Sequence, residues 1–220
     1  MDGTRRRIAR VLLVLAVVIA IAPSAGCIIG LPAQIGYMIW GIKKKAEYDG
    51  LKGEKVAVIV YSTSAQGTES GIRLLSSKIH YELDNNVKKI KLIPQADVSS
   101  YAGTNTFSEK KLLEIGKGVG ADKVVAVRIH SYSLFEGASL FEGKISYTAT
   151  VYDMTDAGRQ VYSSGRMDYD FPRHSGVPQI ETTVETFEAR FIDQVGTRIS
   201  RLFFDHEAID TYADETPIVR

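Results

Sequence analysis

Apolar residues along this chain follow three patterns, each with a different structural meaning. Residues 11–22 are apolar without interruption and sit directly behind Arg5, Arg6, Arg7 and Arg10. Further on, residues 56–61 and 123–130 contain short β-branched runs, the pattern of strands buried on both faces. Elsewhere the apolar positions recur every three or four residues: Ile72, Leu75, Ile79 and Leu83; Leu112, Ile115 and Val119; and Val184, Phe187, Phe191, Val195, Ile199 and Leu202. That spacing puts each set on one stripe of a helix.

Punctuation between these runs completes the element order. A strand over 56–61 leads through a polar turn into a helix that starts at Ser70 and ends near Asn85 and Asn86. Residues 90–93 form a second short strand, closed by Pro94. Ser108 is placed to cap a helix running to Lys117, with Gly118 and Gly120 ending it ahead of the strand at 123–130. Ile145, Tyr147, Ala149 and Val151 alternate with Ser146, Thr148 and Thr150, predicting a half-buried antiparallel strand that turns at 155–158 into a partner over 160–163. A last helix over 184–204 should cover the sheet. The order β-α-β-α-β-β-β-α begins parallel and ends in hairpins, so the expected fold is α/β (α+β), a mixed sheet of about five strands with helices packed on it.

The N-terminal run reads differently from the rest. Twelve apolar residues at about 1.5 Å each make a helix of roughly 18 Å, well short of the ~30 Å hydrocarbon core. With the arginines before it and Ser24, Ala25 and Gly26 after it, the run has the anatomy of a secretory signal peptide. No charge occurs from there until Lys43, Lys44 and Lys45, but a single helix over 11–42 would be about 48 Å long and would be broken by Pro23, Gly26, Gly30, Pro32, Gly36 and Gly41. Two segments fit better than one. Residues 28–42, with Tyr37 and Trp40 just ahead of the lysines, read as a membrane-surface tether.

Ser24-Ala25-Gly26-Cys27, which contains the only cysteine in the chain, resembles the lipobox of bacterial lipoproteins, with Ser24 where that family more often has leucine. The resemblance implies cleavage between Gly26 and Cys27, thioether-linked diacylglycerol on the Cys27 sulfur, palmitate-class acylation of the new amino terminus, and anchorage in the lipid bilayer. Ile28 after the cysteine, in place of aspartate, implies export to the outer membrane with the domain facing the periplasm. The alternative is an uncleaved single span without lipid. The expected organisation is a signal peptide at 1–26, a lipidated tether and linker at 27–54, an α/β envelope domain at 55–207 and a flexible tail at 208–220.

Composition narrows the function classes. Of 220 residues, 45% are hydrophobic and 24% charged, as in an ordinary globular protein. Removing residues 1–26 leaves 23 Lys and Arg against 25 Asp and Glu, a net charge of −2, which argues against nucleic acid as partner. With Cys27 committed to lipid, no thiol remains for a disulfide or a nucleophile. No cofactor is expected, and the oligomeric state is left open.

The strands at 56–61 and 90–93, the segment Gly118-Val119-Gly120-Ala121-Asp122-Lys123-Val124-Val125, and the later hairpin at 153–158 look like the amino-terminal domain of the Tol-Pal translocation protein, the penicillin-binding-protein activator lipoproteins and the curli secretion lipoprotein. The resemblance spans roughly residues 54–205. It implies a non-catalytic assembly domain whose partner is another envelope protein, and it carries no family functional residue onto this chain.

Catalytic motifs are scarce. Gly116-Lys117-Gly118-Val119-Gly120 ends a helix and precedes a strand, the reverse of a phosphate-binding loop, so a helix C-cap is expected. His80, His130, His174 and His206 have no metal-ligand spacing, and Asp205-His206-Glu207 reads as a solvated helix end. Asp168 and Asp170, two carboxylates at strand spacing, would suit acid-base chemistry but fit an exposed sheet edge better. An envelope hydrolase is the runner-up reading.

One feature stands apart: Ser133-Leu134-Phe135-Glu136-Gly137-Ala138 is followed directly by Ser139-Leu140-Phe141-Glu142-Gly143-Lys144. This tandem repeat lies between two predicted strands. Either both phenylalanines fold back on the sheet, or they face a partner. Phe135, Phe141, Glu136 and Glu142 are therefore partner-binding candidates, joined by Arg173 and His174 from a second loop over 168–179.

Overall fold

The computed structural model describes residues 43–62, 69–102, 108–173 and 176–208. The elements in chain order are β1 (Lys43–Lys44), β2 (Lys55–Ser62), α1 (Glu69–Asn86), β3 (Lys91–Leu92), α2 (Gln95–Ala102), α3 (Glu109–Gly118), β4 (Lys123–Glu136), β5 (Leu140–Asp153), β6 (Arg159–Ser163), β7 (Met167–Phe171), β8 (Val177–Pro178), α4 (Val184–Ser200) and β9 (His206–Glu207). The fold is α+β: a mixed seven-stranded sheet with helices on both faces. Strand order runs β3-β2-β4-β5-β6, with β7 and β8 also on β5. Pairing of β2 with β3 and β4 is parallel, and β4 to β8 continue antiparallel.

The continuous apolar run of β2 is explained by burial on both sides. Val56, Val58 and Val60 enter the larger core beneath α1 and α4, while Ala57, Ile59 and Tyr61 enter a smaller core beneath α2 and α3. β4 repeats the division, with Val125, Val127 and Ile129 on one side and Val124 and Ala126 on the other. Register shifts lie between Ile129 and Ser131 and between Ser133 and Phe135. Such bulges add a residue to one strand and re-aim those that follow, and beyond the first of them Tyr132 and Leu134 join the larger core.

Local signals near the caps hold. Ser108 accepts a hydrogen bond from the Lys111 N–H at 3.3 Å, and α3 closes with the Ala121 N–H on the Gly116 carbonyl at 2.9 Å. Thr183 caps α4 in the same way.

Several expectations need correction. The last helix ends at Ser200, not 204, because Leu202, Phe203 and Phe204 are all buried and three consecutive side chains cannot share one helical stripe. Tight turns, with the Leu202 N–H on Ile199 and the Phe203 N–H on Ser200, let all three face inward. Asp205-His206-Glu207 is therefore no helix end: β9 pairs antiparallel with β1, Lys44 opposite His206 and Lys43 opposite Glu207. Part of the expected linker is built into the fold, since Leu51 is fully buried, Tyr48 donates its N–H to the Leu202 carbonyl at 3.0 Å, and its ring lies 5.5 Å from Tyr162. The sheet has seven strands against about five expected: β7 carries Asp168 and Asp170 exposed, as their strand spacing suggested, whereas β8 and α2, with its weakly periodic sequence, were not signalled. Pro94, whose carbonyl accepts from Asp97 and Val98, starts that helix.

Candidate functional site

β4 and β5 form a 14-residue-by-14-residue hairpin joined by a three-residue turn at 137–139. The repeat lies at its tip, and because the two copies flank the turn, register sets Phe135 opposite Phe141 and Glu136 opposite Leu140. The ring centroids of the two phenylalanines are 5.5 Å apart. Their environments differ: Phe141 is buried and stacks on Phe187 of α4 at 5.3 Å, whereas Phe135 is 50% exposed. The acidic candidates flank a lysine. Lys144 Nζ lies 2.7 Å from Glu136 and 3.4 Å from Glu142. That hydrogen bond and the lysine charge hold the Glu136 carboxyl below its ordinary value.

The second candidate loop reaches the same end of the sheet. Phe171 of β7 sits opposite Gly143, and β8 places Val177 opposite Phe141 and Pro178 opposite Leu140. The Gln179 N–H on the Ser139 carbonyl closes the junction at 3.1 Å. Arg173 is exposed between these strands; His174 lies outside the described residues, as do Gly26 and Cys27. Ile180, 96% exposed, lies just beyond β8 and had not been singled out by the sequence. Nothing short of the strand pairing signals that this isoleucine sits near the hairpin.

Several of the remaining ionisable candidates are used by the fold. His130 Nε2 is 2.8 Å from Thr148 Oγ1, and burial, then the charges of Arg166 and Arg128, hold the ring below the ordinary histidine range. Asp168 lies 3.9 Å from Arg166, whose Nε–H donates to Ser146 at 2.7 Å. Arg128 donates to the Tyr61 hydroxyl at 2.9 Å. In the Gly-Ala-Asp-Lys segment, Asp122 accepts the Lys55 N–H at 2.9 Å and Lys123 pairs with Asp153 at 2.8 Å, so its two charged residues tie together β2, β4 and β5. Among the described residues, no three His, Cys, Asp or Glu side chains form a group able to hold a metal ion, and no helix is long and apolar enough to cross a membrane.

No protein-family model matches this chain, and no curated protein matches it. Solved structures to which it is similar include the PelC dodecamer from Paraburkholderia phytofirmans, at 13% identity over 72% of this chain and 94% of that one, with a TM-score of 0.40. The C-terminal domain of LpoB from Salmonella enterica is similar at 14% identity over 56% of this chain and 87% of that one, TM-score 0.40. Lipoprotein GNA1162 from Neisseria meningitidis is similar at 14% identity over 52% and 78%, TM-score 0.35.

Proposed function

We propose that this chain is an envelope lipoprotein, cleaved before Cys27, acylated on that residue, and carrying an α+β domain that binds another envelope protein without catalysing a reaction. The observation that carries the reading is the order of segments at the N-terminus: four arginines, an uninterrupted apolar run too short to span a bilayer, three small residues and the cysteine. Acyl chains suit this arrangement, because one chain gives only marginal membrane binding and two or more give stable anchorage. Ile28 favours the outer membrane, with the domain in the periplasm.

The partner surface is placed at the hairpin tip. Phe135 and Ile180 present apolar area there, edged by Glu136, Lys144 and Arg173, and half-exposed aromatics at the centre of a polar rim are the usual anchors of an interface. Phe141 serves from below, holding the Phe135 ring through their contact.

Mass spectrometry of the protein from membranes tests the anchor. A polypeptide beginning at Cys27 with acyl mass added, lost on Cys27→Ser, is the expected result; an unmodified thiol on a chain retaining Met1 would sink it. For the surface, cross-linking of the full chain in cells should yield one envelope protein whose capture drops with Phe135→Ser and Ile180→Ser. Unchanged capture by both variants would remove the hairpin tip from the partner surface.

A further inference from the structure

Parallel strands joined by helices bring separate stretches of this chain to one end of the sheet, opposite the hairpin tip. β2, β3 and β4 all start there, so α1 and α3, which lead into β3 and β4, run back and finish there. Five exposed lysines share that end. Lys55 and Lys91 are register partners at the starts of β2 and β3, Lys88 and Lys89 stand in the turn between α1 and β3, and Lys117 is in the last turn of α3. Lys55 Nζ reaches the Val119 carbonyl at 3.3 Å, which makes the group continuous from the strands to α3. We propose that this lysine-bearing base docks on the surface of an anionic bilayer.

The carboxylates at this end are turned to other tasks. Asp49 pairs with Lys52 at 3.0 Å, Asp122 accepts the Lys55 N–H at 2.9 Å, and Asp153 pairs with Lys123 at 2.8 Å, where Glu54 adds its field. None of the five lysines forms an ion pair among the described residues. Asp84 and Glu114 are the exposed carboxylates left beside them. Lys89 stands at φ +59°, where glycine or asparagine would sit at lower backbone cost, so the turn itself does not call for a lysine. Around the tip the balance is reversed, with Glu136, Glu142, Asp170, Glu181 and Glu185 outnumbering Lys144 and Arg173. An anionic surface attracts the base and repels the tip, and so orients the domain as well as holding it.

The chain also enters the domain here. Lys43, which follows residues 28–42 directly in sequence, lines one cleft with Asn86, the last residue of α1. Lysines near an anionic membrane strengthen attachment by about five-fold each, and a basic patch is the usual second signal beside a lipid anchor. A weak patch suffices, because a chain already held at the bilayer meets it at high effective concentration. β4 runs from this base to the tip, 14 residues or up to about 45 Å, so docking presents Phe135 and Ile180 away from the headgroups. The inference rests on the lipoprotein reading only for what holds the chain at a bilayer.

The test reconstitutes the full chain, purified from membranes, into nanodiscs of phosphatidylcholine alone or with phosphatidylglycerol added. Lysine acylation by a water-soluble ester is then read site by site by mass spectrometry. In the anionic discs labelling at Lys88, Lys89 and Lys91 should fall about five-fold or more, while Lys110 at the other end of α3 stays constant. Salt at about 1 M, which shortens the screening length to about 3 Å, should restore it. Combined Lys88→Gln, Lys89→Gln and Lys91→Gln should return Lys55 and Lys117 to their labelling in phosphatidylcholine. Should that variant fail to fold, Lys55→Gln with Lys117→Gln should weaken protection of the other three. Equal labelling in the two lipids, or protection that both variants leave unchanged, overturns the proposal. The mass of the Cys27 peptide in the same samples reports the anchor separately: a bare thiol with lipid-dependent labelling removes the anchor and keeps the docking, and an acylated Cys27 with equal labelling does the reverse.

Discussion

The two copies of the repeat, 133–138 and 139–144, share five consecutive residue types and have opposite fates. Leu134 is buried and its counterpart Leu140 is half-exposed; Phe135 is half-exposed and Phe141 is buried. Gly137 takes φ +63° in the turn, a conformation that suits glycine, while Gly143 lies in the strand under Phe191, where an added Cβ would stand 2.5 Å from the ring. The bulge between Ile129 and Ser131 underlies the fate of the leucines: beyond it the even-numbered Tyr132 and Leu134, in place of odd-numbered residues, face the larger core. Helix α4 decides the phenylalanines: Phe187 stacks on Phe141 and Phe191 covers Gly143, while Phe135 on β4 stays half-exposed. Identical chemistry thus becomes core in one place and surface in the other, according to what packs against it.

Truncation should measure that asymmetry most sharply. Phe141→Ala removes a ring packed on Phe187 and should lower unfolding free energy by about 3–5 kcal/mol, read by urea denaturation. A loss below about 1.5 kcal/mol would mean that the tip is not part of the core. At the far end of the same hairpin, Lys123 and Thr155 hold the Asp153 carboxyl down to about 2 from an ordinary 3.8. A lowered folded-state value means that its stabilisation is complete above pH ~4 and lost as pH falls toward 2. Asp153→Asn should therefore be less stable than the parent by about 2 kcal/mol at neutral pH, the gap closing in melts near pH 2. A gap that persists unchanged in acid would assign the effect to packing. The smallest effect belongs to Phe135→Ala, which should cost no more than about 1 kcal/mol. A cost equal to that at Phe141 would erase the comparison.

Much of the architecture was legible because it is written in short-range periodicity. The doubly buried runs at β2 and β4, the helical stripes and the cap at Ser108 depend on neighbours within a few residues. What was missed depends on distant ones. β8 is two residues long and exists because Leu140 and Phe141 offer it an edge; β9 exists because Lys43 and Lys44 lie beside it. The part-buried pair Lys123–Asp153 and the exposed Ile180 give no local signal of their surroundings.

The candidate sites divide along the same line. The arginines, the apolar run and Cys27 form a contiguous segment, so the sequence alone suffices to raise the lipoprotein reading. The repeat was likewise visible, but which phenylalanine faces solvent was decided by a helix far along the chain. Backbone periodicity fixes elements because hydrogen bonds and burial stripes are local. Charge and exposure at a site follow from which elements close over it, and that is a property of the packed whole.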